Sequence, residues 1–472
     1  MSNSLIASVL AIAAAAPALG DPVPNPTVTG PIPATVIPGN PSHDYPFFAT
    51  NHDLATNGYI EEEFFFSGTA NSHGLQPLTT ASVIDGGHPY LTRMVVRRPA
   101  DRRHFNGTVL VEWYNVTNGF DAENTWFFAW EHILRAGYIW VGVSAQRVGV
   151  NDLNAWSPDR YGSLDVTDGG TVTDDSLCYD IYSQAGQAIR HPQGIDPLGG
   201  LRARTVIAVG ESQSAFRLSA YVNSIHPLAN VYQGFLLLSS LGNPIRTDLT
   251  DPVWKVLTEY DVGAFEASVR QDDTSLFRTW EVAGTSHVDQ HLRASREALE
   301  LRDRGTSSEA ALAPQCDVPS IGTRVPTTYV LASVFDLLVR WVRQHAAPPS
   351  APGIDIVEYG PPGGPSVIAR DDLGLALGGI RLSELAVPTA YNVGFNVGPG
   401  ACVRWGYSLP FDVGMLDDLY PEHERYVQRV TRLSHDNVRH HYILERDAQQ
   451  TIRAAVESRV GGGDDGPRDE GD

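Results

Sequence analysis

The amino-acid sequence predicts an α/β fold in which a mostly parallel central sheet is covered by helices on both faces. The main observation is that short apolar, β-branched segments alternate with helical segments between about residues 90 and 300. This alternation is typical of strand–helix–strand units, whose strands pair in parallel and are buried on both faces. The length of 472 residues is the second observation, because a single α/β domain with insertions can reach this size.

Segments rich in β-branched and aromatic residues predict the strands, which we place at Tyr59–Ala70, Tyr90–Pro99, Thr108–Val116, Tyr138–Ala145, Arg204–Val209, Val231–Ser239, Val253–Thr258 and Leu276–Ala283. Helical spacing of apolar residues predicts helices at Trp126–Ala136, Asp180–Arg190 and Gln213–Ile225. The pattern is less regular beyond His291, where helical segments are expected at 326–345 and 421–458. Residues 21–45 are rich in proline, and we expect an extended surface segment there rather than an element of the sheet.

Composition divides the chain into three parts. Residues 1–20 read as an export signal, because the apolar run Leu5–Ala16 is too short to span a membrane and small residues follow it. This predicts a secreted or periplasmic protein, and the alternative is an N-terminal extension or a mis-set start site. Residues 21–460 are expected to form one domain, with a catalytic core at about 90–300 and a C-terminal cover at about 300–460. Residues 461–472 are glycine-rich and acidic, which is typical of a disordered tail.

Charge and cysteine usage exclude several classes of function. Lys and Arg number 34 against 55 Asp and Glu, so the net charge of −21 argues against nucleic acid or a membrane surface as partner, and a polyanionic substrate would not be attracted. The three cysteines, Cys178, Cys316 and Cys402, form no metal-binding pair. Cys316 and Cys402 both lie in the loop-rich C-terminal third, and we predict a disulfide between them. Neither a metal motif nor a nucleotide-binding loop is visible, so cofactor-free chemistry is expected.

The most informative motif is Gly210-Glu211-Ser212-Gln213-Ser214. It follows a predicted strand directly and precedes a predicted helix directly, which is the context of a nucleophile elbow. The residues two before and two after the nucleophile must be small, because strand and helix approach closely there. Gly210 meets this requirement, and Ser214 stands where glycine is more common. The alternative is a tight strand-to-helix turn that a serine caps.

A serine hydroxyl needs an adjacent base that an acid holds in place, and in this type of fold the chain order is serine, acid, histidine. The strand ending in Thr258 is followed by Glu259 and Asp261, and the next strand is followed by His287. We predict His287 as the base. Asp261 is the preferred acid, because the turn would bring its carboxylate round toward the histidine, and Glu259 is the alternative.

Other histidines fit the role of base less well. His226 is too close to Ser212 along the chain, and His291 is expected at the surface. An oxyanion site requires two N–H donors. One is expected from the backbone of Gln213, and the other from Val116 or Thr117 in the loop after an earlier strand.

Six segments of the chain are VEWYNVTNG, YIWVGVSAQRVGV, YDIYSQAGQAIR, GESQSA, TEYDV and WEVAGTSH. Together they resemble a group of long bacterial proteins described as α/β-hydrolase domain-containing. The later segments ALGGIRL, VPTAYN and SLPFD also fit, so the resemblance covers nearly the whole chain after the leader. It implies an α/β-hydrolase fold with Ser212 and His287 as catalytic residues. Glu259 and Asp261 both belong to the matching motif, so the resemblance does not choose between them.

The sequence therefore predicts a serine hydrolase, specifically a carboxylic-ester hydrolase that acts on a small-molecule ester through an acyl-enzyme. An acyltransferase with the same three residues, an amidase or peptidase, and a catalytically inactive binding module are the alternatives. Part of the chain beyond His287 is expected to cover the pocket. Aromatic residues that could line the pocket are Trp156, Tyr161, Trp405 and Tyr407.

Overall fold

The computed structural model describes residues 23–307, 313–319 and 322–462. Its centre is a nine-stranded sheet with the order β1-β2-β3-β5-β4-β6-β7-β8-β9. The strands are β1 Thr27–Thr29, β2 Tyr59–Gln76, β3 Thr79–Pro99, β4 Thr108–Trp113, β5 Ile139–Val143, β6 Thr205–Glu211, β7 Phe235–Leu238, β8 Val253–Thr258 and β9 Phe277–Val282. The pairs β1–β2, β2–β3 and β3–β5 are antiparallel, and all pairs from β5–β4 to β8–β9 are parallel.

Every residue of β4, β5, β6, β7 and β8 is buried, because helices cover both faces of the parallel part of the sheet. The helices longer than one turn are Asn124–Ala136, Arg147–Trp156, Cys178–Arg190, Gln213–Ala220, Gln290–Arg304, Thr327–Gln344, Val413–Leu419, His423–Arg439 and Glu445–Glu457. Single helical turns occupy Pro158–Tyr161, His226–Ala229, Glu259–Asp261, Ser383–Ala386 and Cys402–Trp405. The predicted α/β fold with a mostly parallel sheet is thus confirmed.

Three local predictions were wrong or incomplete. The proline-rich leader does join the sheet, because Thr27–Thr29 pairs with the edge of β2 and satisfies backbone groups that would otherwise stay open. The helices Arg147–Trp156 and Gln290–Arg304 were not predicted. The strand predicted at Val231–Ser239 begins only at Phe235. The proposed export signal and residues 463–472 of the acidic tail lie outside the described residues.

Part of the C-terminal third lies against the carboxyl edge of the sheet. One of its two-stranded ribbons pairs Ala390–Val393 with Tyr407–Pro410, and Gly394 follows the first of these strands. A Cβ atom on Gly394 would lie 2.5 Å from the Thr285 carbonyl oxygen and 2.8 Å from the Glu259 Cβ. The ribbon therefore contacts the loops that follow β8 and β9. No helix in the described ranges is both long and apolar enough to cross a bilayer.

A disulfide joins Cys316 to Cys402 across 86 positions of the chain, as predicted, and Cys178 is free and buried. Replacing both bridged cysteines by serine should lower the free energy of unfolding by about 2–5 kcal/mol, because the unfolded chain regains the freedom of a long loop. Urea denaturation with and without a reductant measures this. Reductant should destabilise the wild type and leave the double variant unchanged; equal stability of the wild type in both conditions would contradict the bridge.

Candidate active site

The elbow between β6 and the following helix has the geometry that the motif predicts. Ser212 has φ 56° and ψ −116°, a backbone conformation that residues other than glycine rarely adopt. A Cβ atom on Gly210 would lie 3.0 Å from both the carbonyl carbon and the carbonyl oxygen of Ser214. Strand and helix therefore cross so closely that only glycine fits at position 210 without displacement.

Ser214 takes the position where a glycine is more common, and its hydroxyl stabilises the turn. Its Oγ accepts a hydrogen bond from the Glu211 N–H at 3.0 Å and donates one to the Glu211 carbonyl at 2.9 Å. Both groups are buried, so neither bond has water as a competitor. The departure from glycine closes the elbow rather than weakening it.

Ser212, His287 and Asp261 form one chain of hydrogen bonds. His287 Nε2 lies 2.8 Å from Ser212 Oγ, and His287 Nδ1 lies 2.7 Å from Asp261 Oδ1. These residues follow β6, β9 and β8, whose carboxyl ends meet at one edge because the strands are parallel. The structure thus brings together the serine, the histidine and the preferred acid of the sequence analysis.

The helical turn Glu259–Asp261 separates the two candidate acids. Asp261 Oδ2 accepts hydrogen bonds from the backbone N–H and the hydroxyl of Thr258, at 2.8 and 2.7 Å, which leaves Oδ1 for His287. Glu259 is directed elsewhere: it accepts from the Gly284 N–H at 2.9 Å and from Arg370 Nη2 at 2.7 Å. Asp261 is therefore the acid that contacts the imidazole, and Glu259 fixes the adjoining loop.

A second carboxylate, which the sequence analysis did not single out, also lies beside His287. Glu211 Oε1 is 3.5 Å from His287 Nε2, and Glu211 Oε2 accepts from Asn124 Nδ2 at 2.7 Å and from Asn115 Nδ2 at 3.2 Å. Burial raises the pKa of Glu211, while the nearby imidazole and the Asn124 amide act in the opposite direction. The position of Glu211 next to Ser212 in the motif was the signal available in the sequence.

The environment of His287 favours its protonated form. Burial alone lowers the pKa of the imidazole, but the charges of Asp261 and Glu211 outweigh it, and the pKa lies above the ordinary value of 6.5. Arg404 acts against this increase. The Tyr260 ring packs edge-on to the imidazole, with 5.5 Å between centroids, and so limits its rotation.

Two of the three predicted oxyanion donors already have hydrogen-bond partners in the structure. Gln213 begins its helix, so its backbone N–H has no acceptor within the helix. The Val116 N–H donates to the side-chain oxygen of Gln213 at 3.2 Å, and the Thr117 N–H donates to Asn115 Oδ1 at 2.8 Å. The loop therefore lies at the site, but these two N–H groups already have side-chain partners.

Ser212 and His287 line a cavity of about 160 Å³. Its wall combines amide side chains, one carboxylate, two guanidinium groups and an aromatic ring: Asn115, Asn118, Asn124, Glu211, Arg296, Arg404 and Trp405. A larger cavity of about 390 Å³ lies beyond the His287 loop and does not include Ser212. Within the described ranges, no group of three or more His, Cys, Asp or Glu side chains could hold a metal ion.

Of the four aromatic residues considered for the pocket, Trp405 lines it and the others do not. Trp156 and Tyr161 belong to a separate aromatic cluster that includes Phe47, so helical packing places them elsewhere. His226 is hydrogen-bonded to Asp251. His291 keeps 29% of its side chain exposed and lies 3.3 Å from Glu131, so it is accessible at the surface, as expected.

The strand order, the elbow and the helices on both faces define the α/β-hydrolase class of fold. Residues 28–453 match the alpha/beta hydrolase domain family, and the chain belongs to that family, which confirms the resemblance.

Among solved structures, the rice cell wall degrading esterase LipA from Xanthomonas oryzae is 14% identical with a TM-score of 0.23; the match covers 39% of this chain and 43% of that one. The esterase Est22 is 13% identical with a TM-score of 0.28, covering 44% and 67%. The match therefore spans less than half the length of LipA. A comparison with the curated proteins finds no match.

Proposed function

We propose that the protein is a serine hydrolase that cleaves carboxylic esters through an acyl-enzyme intermediate. The observation that carries the proposal is the continuous chain of hydrogen bonds from Ser212 through His287 to Asp261, which opens into a cavity. A serine hydroxyl is a weak nucleophile at neutral pH, and a hydrogen-bonded histidine held by a carboxylate is the arrangement that activates it.

In the proposed reaction, Ser212 Oγ attacks the ester carbonyl while His287 Nε2 accepts the hydroxyl proton. Asp261 holds the proton on Nδ1 and stabilises the imidazolium that forms. His287 then donates the proton to the leaving alcohol, and a water molecule repeats the sequence on the acyl-enzyme. The N–H of Gln213 supplies one oxyanion donor, and the Val116 N–H supplies the second when the substrate oxygen displaces the Gln213 side chain.

The cavity of about 160 Å³ supports a small ester, since pockets for drug-sized ligands measure about 300–1,000 Å³. A secreted or periplasmic location is part of the proposal. The bridge between Cys316 and Cys402 supports it, because disulfides persist in oxidising compartments. N-terminal sequencing of the protein recovered from cell fractions would test the location and the cleavage of the leader.

Replacing Ser212 by alanine should abolish labelling by a fluorophosphonate probe and hydrolysis of p-nitrophenyl esters together, because both need the same hydroxyl. The loss in kcat is expected to be at least about 10³-fold. Ser219→Ala is the matched control, since its hydroxyl donates to the Ala215 carbonyl of its own helix. A wild type that is neither labelled nor active would refute the serine-hydrolase proposal and favour a binding module.

Asp261→Asn should lower kcat by about 10³–10⁴-fold, because an amide stabilises the wrong tautomer of His287. Glu259→Gln should lower kcat by less than about tenfold, since its oxygen still accepts from the Gly284 N–H. Both substitutions exchange a buried carboxylate for an amide, so each controls for the other. Equal losses in the two variants, measured by initial rates at matched folded fraction, would contradict Asp261 as the acid.

The rate should depend on the ionisation of His287. The base must be neutral, so kcat/KM should rise with pH through an apparent pKa above 6.5. Glu211→Gln removes a nearby carboxylate, lowers the pKa of His287 and should move the acidic limb of the profile to lower pH. Glu259→Gln, which does not contact the imidazole, should leave the limb in place. A limb that does not move in Glu211→Gln would show that Glu211 carries no charge there.

A further inference from the structure

The positive charge of Arg404 in the cavity indicates which class of ester the site binds. We propose that the ester substrate carries an anionic group, such as a carboxylate, which Arg404 binds beside Ser212; this proposal rests on the proposed hydrolase function. A carboxylate matches the guanidinium in shape and charge and forms paired hydrogen bonds with it. Arg404 would therefore determine specificity without taking part in proton transfer.

Arg404 is available for a ligand. It is half-buried and lines the same cavity as Ser212 and His287. Across the described ranges, no hydrogen bond or ion pair of its side chain to another residue is found. Arginine is almost never fully buried unless it is paired, and Arg404 meets this rule by remaining accessible from the cavity. Its charge thus faces the space where the substrate must lie.

A second guanidinium lines the cavity and, unlike that of Arg404, is ion-paired. Arg296 is buried and lies 3.4 Å from Glu300. Burial lowers the pKa of Arg296, the charges of Glu300 and Glu211 raise it, and the charge of Arg404 lowers it. The two cations are therefore close enough to repel each other, but nearby carboxylates offset the charge of Arg296, so within the described ranges Arg404 supplies the unpaired positive charge of the cavity.

Within the described ranges, the carboxylates of the site form ion pairs with His287 and not with Arg404. Glu211 is held by the amides of Asn115 and Asn124 and faces His287. Asp261 is hydrogen-bonded to Nδ1 of His287 and accepts a hydrogen bond from Thr258. The net charge of −21 acts mainly at long range, where salt screens it beyond about 8 Å at physiological ionic strength.

Hydrogen bonds and a disulfide fix the backbone around Arg404, so the position from which its side chain extends is defined. The Arg404 carbonyl accepts from the Val288 N–H, next to His287, and its N–H donates to the Ala401 carbonyl at 2.9 Å. The neighbouring Cys402 is tied to Cys316 by the disulfide. Arg404 is therefore fixed relative to the loop that carries His287.

The test uses ester pairs in which a carboxylate is exchanged for a carboxamide of the same shape. Monoethyl succinate against ethyl succinamate places the charge on the acyl side, and acetoxyacetate against acetoxyacetamide places it on the alcohol side. Hydrolysis by the full-length protein is followed by acid release in a pH-stat. Fluorophosphonate labelling of every variant reports separately that Ser212 is reactive and the protein folded.

In the wild type, kcat/KM for the carboxylate should exceed that for the matched carboxamide by at least about tenfold in one pair, which identifies the side that carries the charge. Arg404→Gln should reduce this ratio by about tenfold, and Arg404→Lys should retain part of it, because lysine keeps the charge but not the paired geometry. Arg103→Gln, at a side chain 83% exposed, should leave the ratio unchanged.

Each other outcome overturns a defined statement. If the wild type is labelled and hydrolyses esters but prefers the carboxylate in neither pair, the anionic substrate is wrong and the serine hydrolase stands. If the preference is present but survives in Arg404→Gln, the assignment to Arg404 is wrong. If the wild type is neither labelled nor active on any of the four esters, both proposals fail together.

Discussion

The site depends on one steric constraint, the close crossing of β6 and the helix Gln213–Ala220. Because a Cβ atom at Gly210 would meet the backbone of Ser214 at 3.0 Å, the turn is short and Ser212 is held at a positive φ. This conformation directs the hydroxyl away from the sheet and toward the loop after β9. A wider turn would separate Ser212 Oγ from His287 Nε2, and the chain of hydrogen bonds to Asp261 would lose its first member.

The second constraint is the cost of burying charge beside that serine. Glu211, Asp261 and His287 are all nearly inaccessible to solvent, and an isolated buried charge would be strongly destabilising. The fold provides hydrogen bonds for each carboxylate, from Asn115 and Asn124 on one and from Thr258 on the other. These bonds let two carboxylates remain next to one imidazole, and their charges in turn raise the pKa of His287.

Local pattern was sufficient for the sheet and the elbow, since burial on both faces and the need for small residues leave direct marks in the sequence. Chain order also placed His287, the predicted base, after β9. Other features depend on distant packing: Glu259 is held away from His287 by Arg370, more than a hundred positions along the chain, and the strand at Thr27–Thr29 exists because an edge of β2 was available. No local pattern in the sequence indicates that Arg404 lines the cavity. Its position there depends on how a segment more than a hundred residues after His287 folds back to the site.

That return makes the C-terminal segment part of the site. The loop of His287 is hydrogen-bonded on both sides to distant residues: the Val288 N–H donates to the Arg404 carbonyl, and the Thr323 N–H donates to the Ser286 hydroxyl. The Gly322 N–H donates to the Trp405 carbonyl at 2.8 Å, which joins these two segments to each other. Because one framework holds both the imidazole of His287 and the Arg404 backbone, the positions of the two residues are set together. A new side chain at position 404 would therefore change the charge of the cavity wall alone, whereas a change in the backbone there would also move His287.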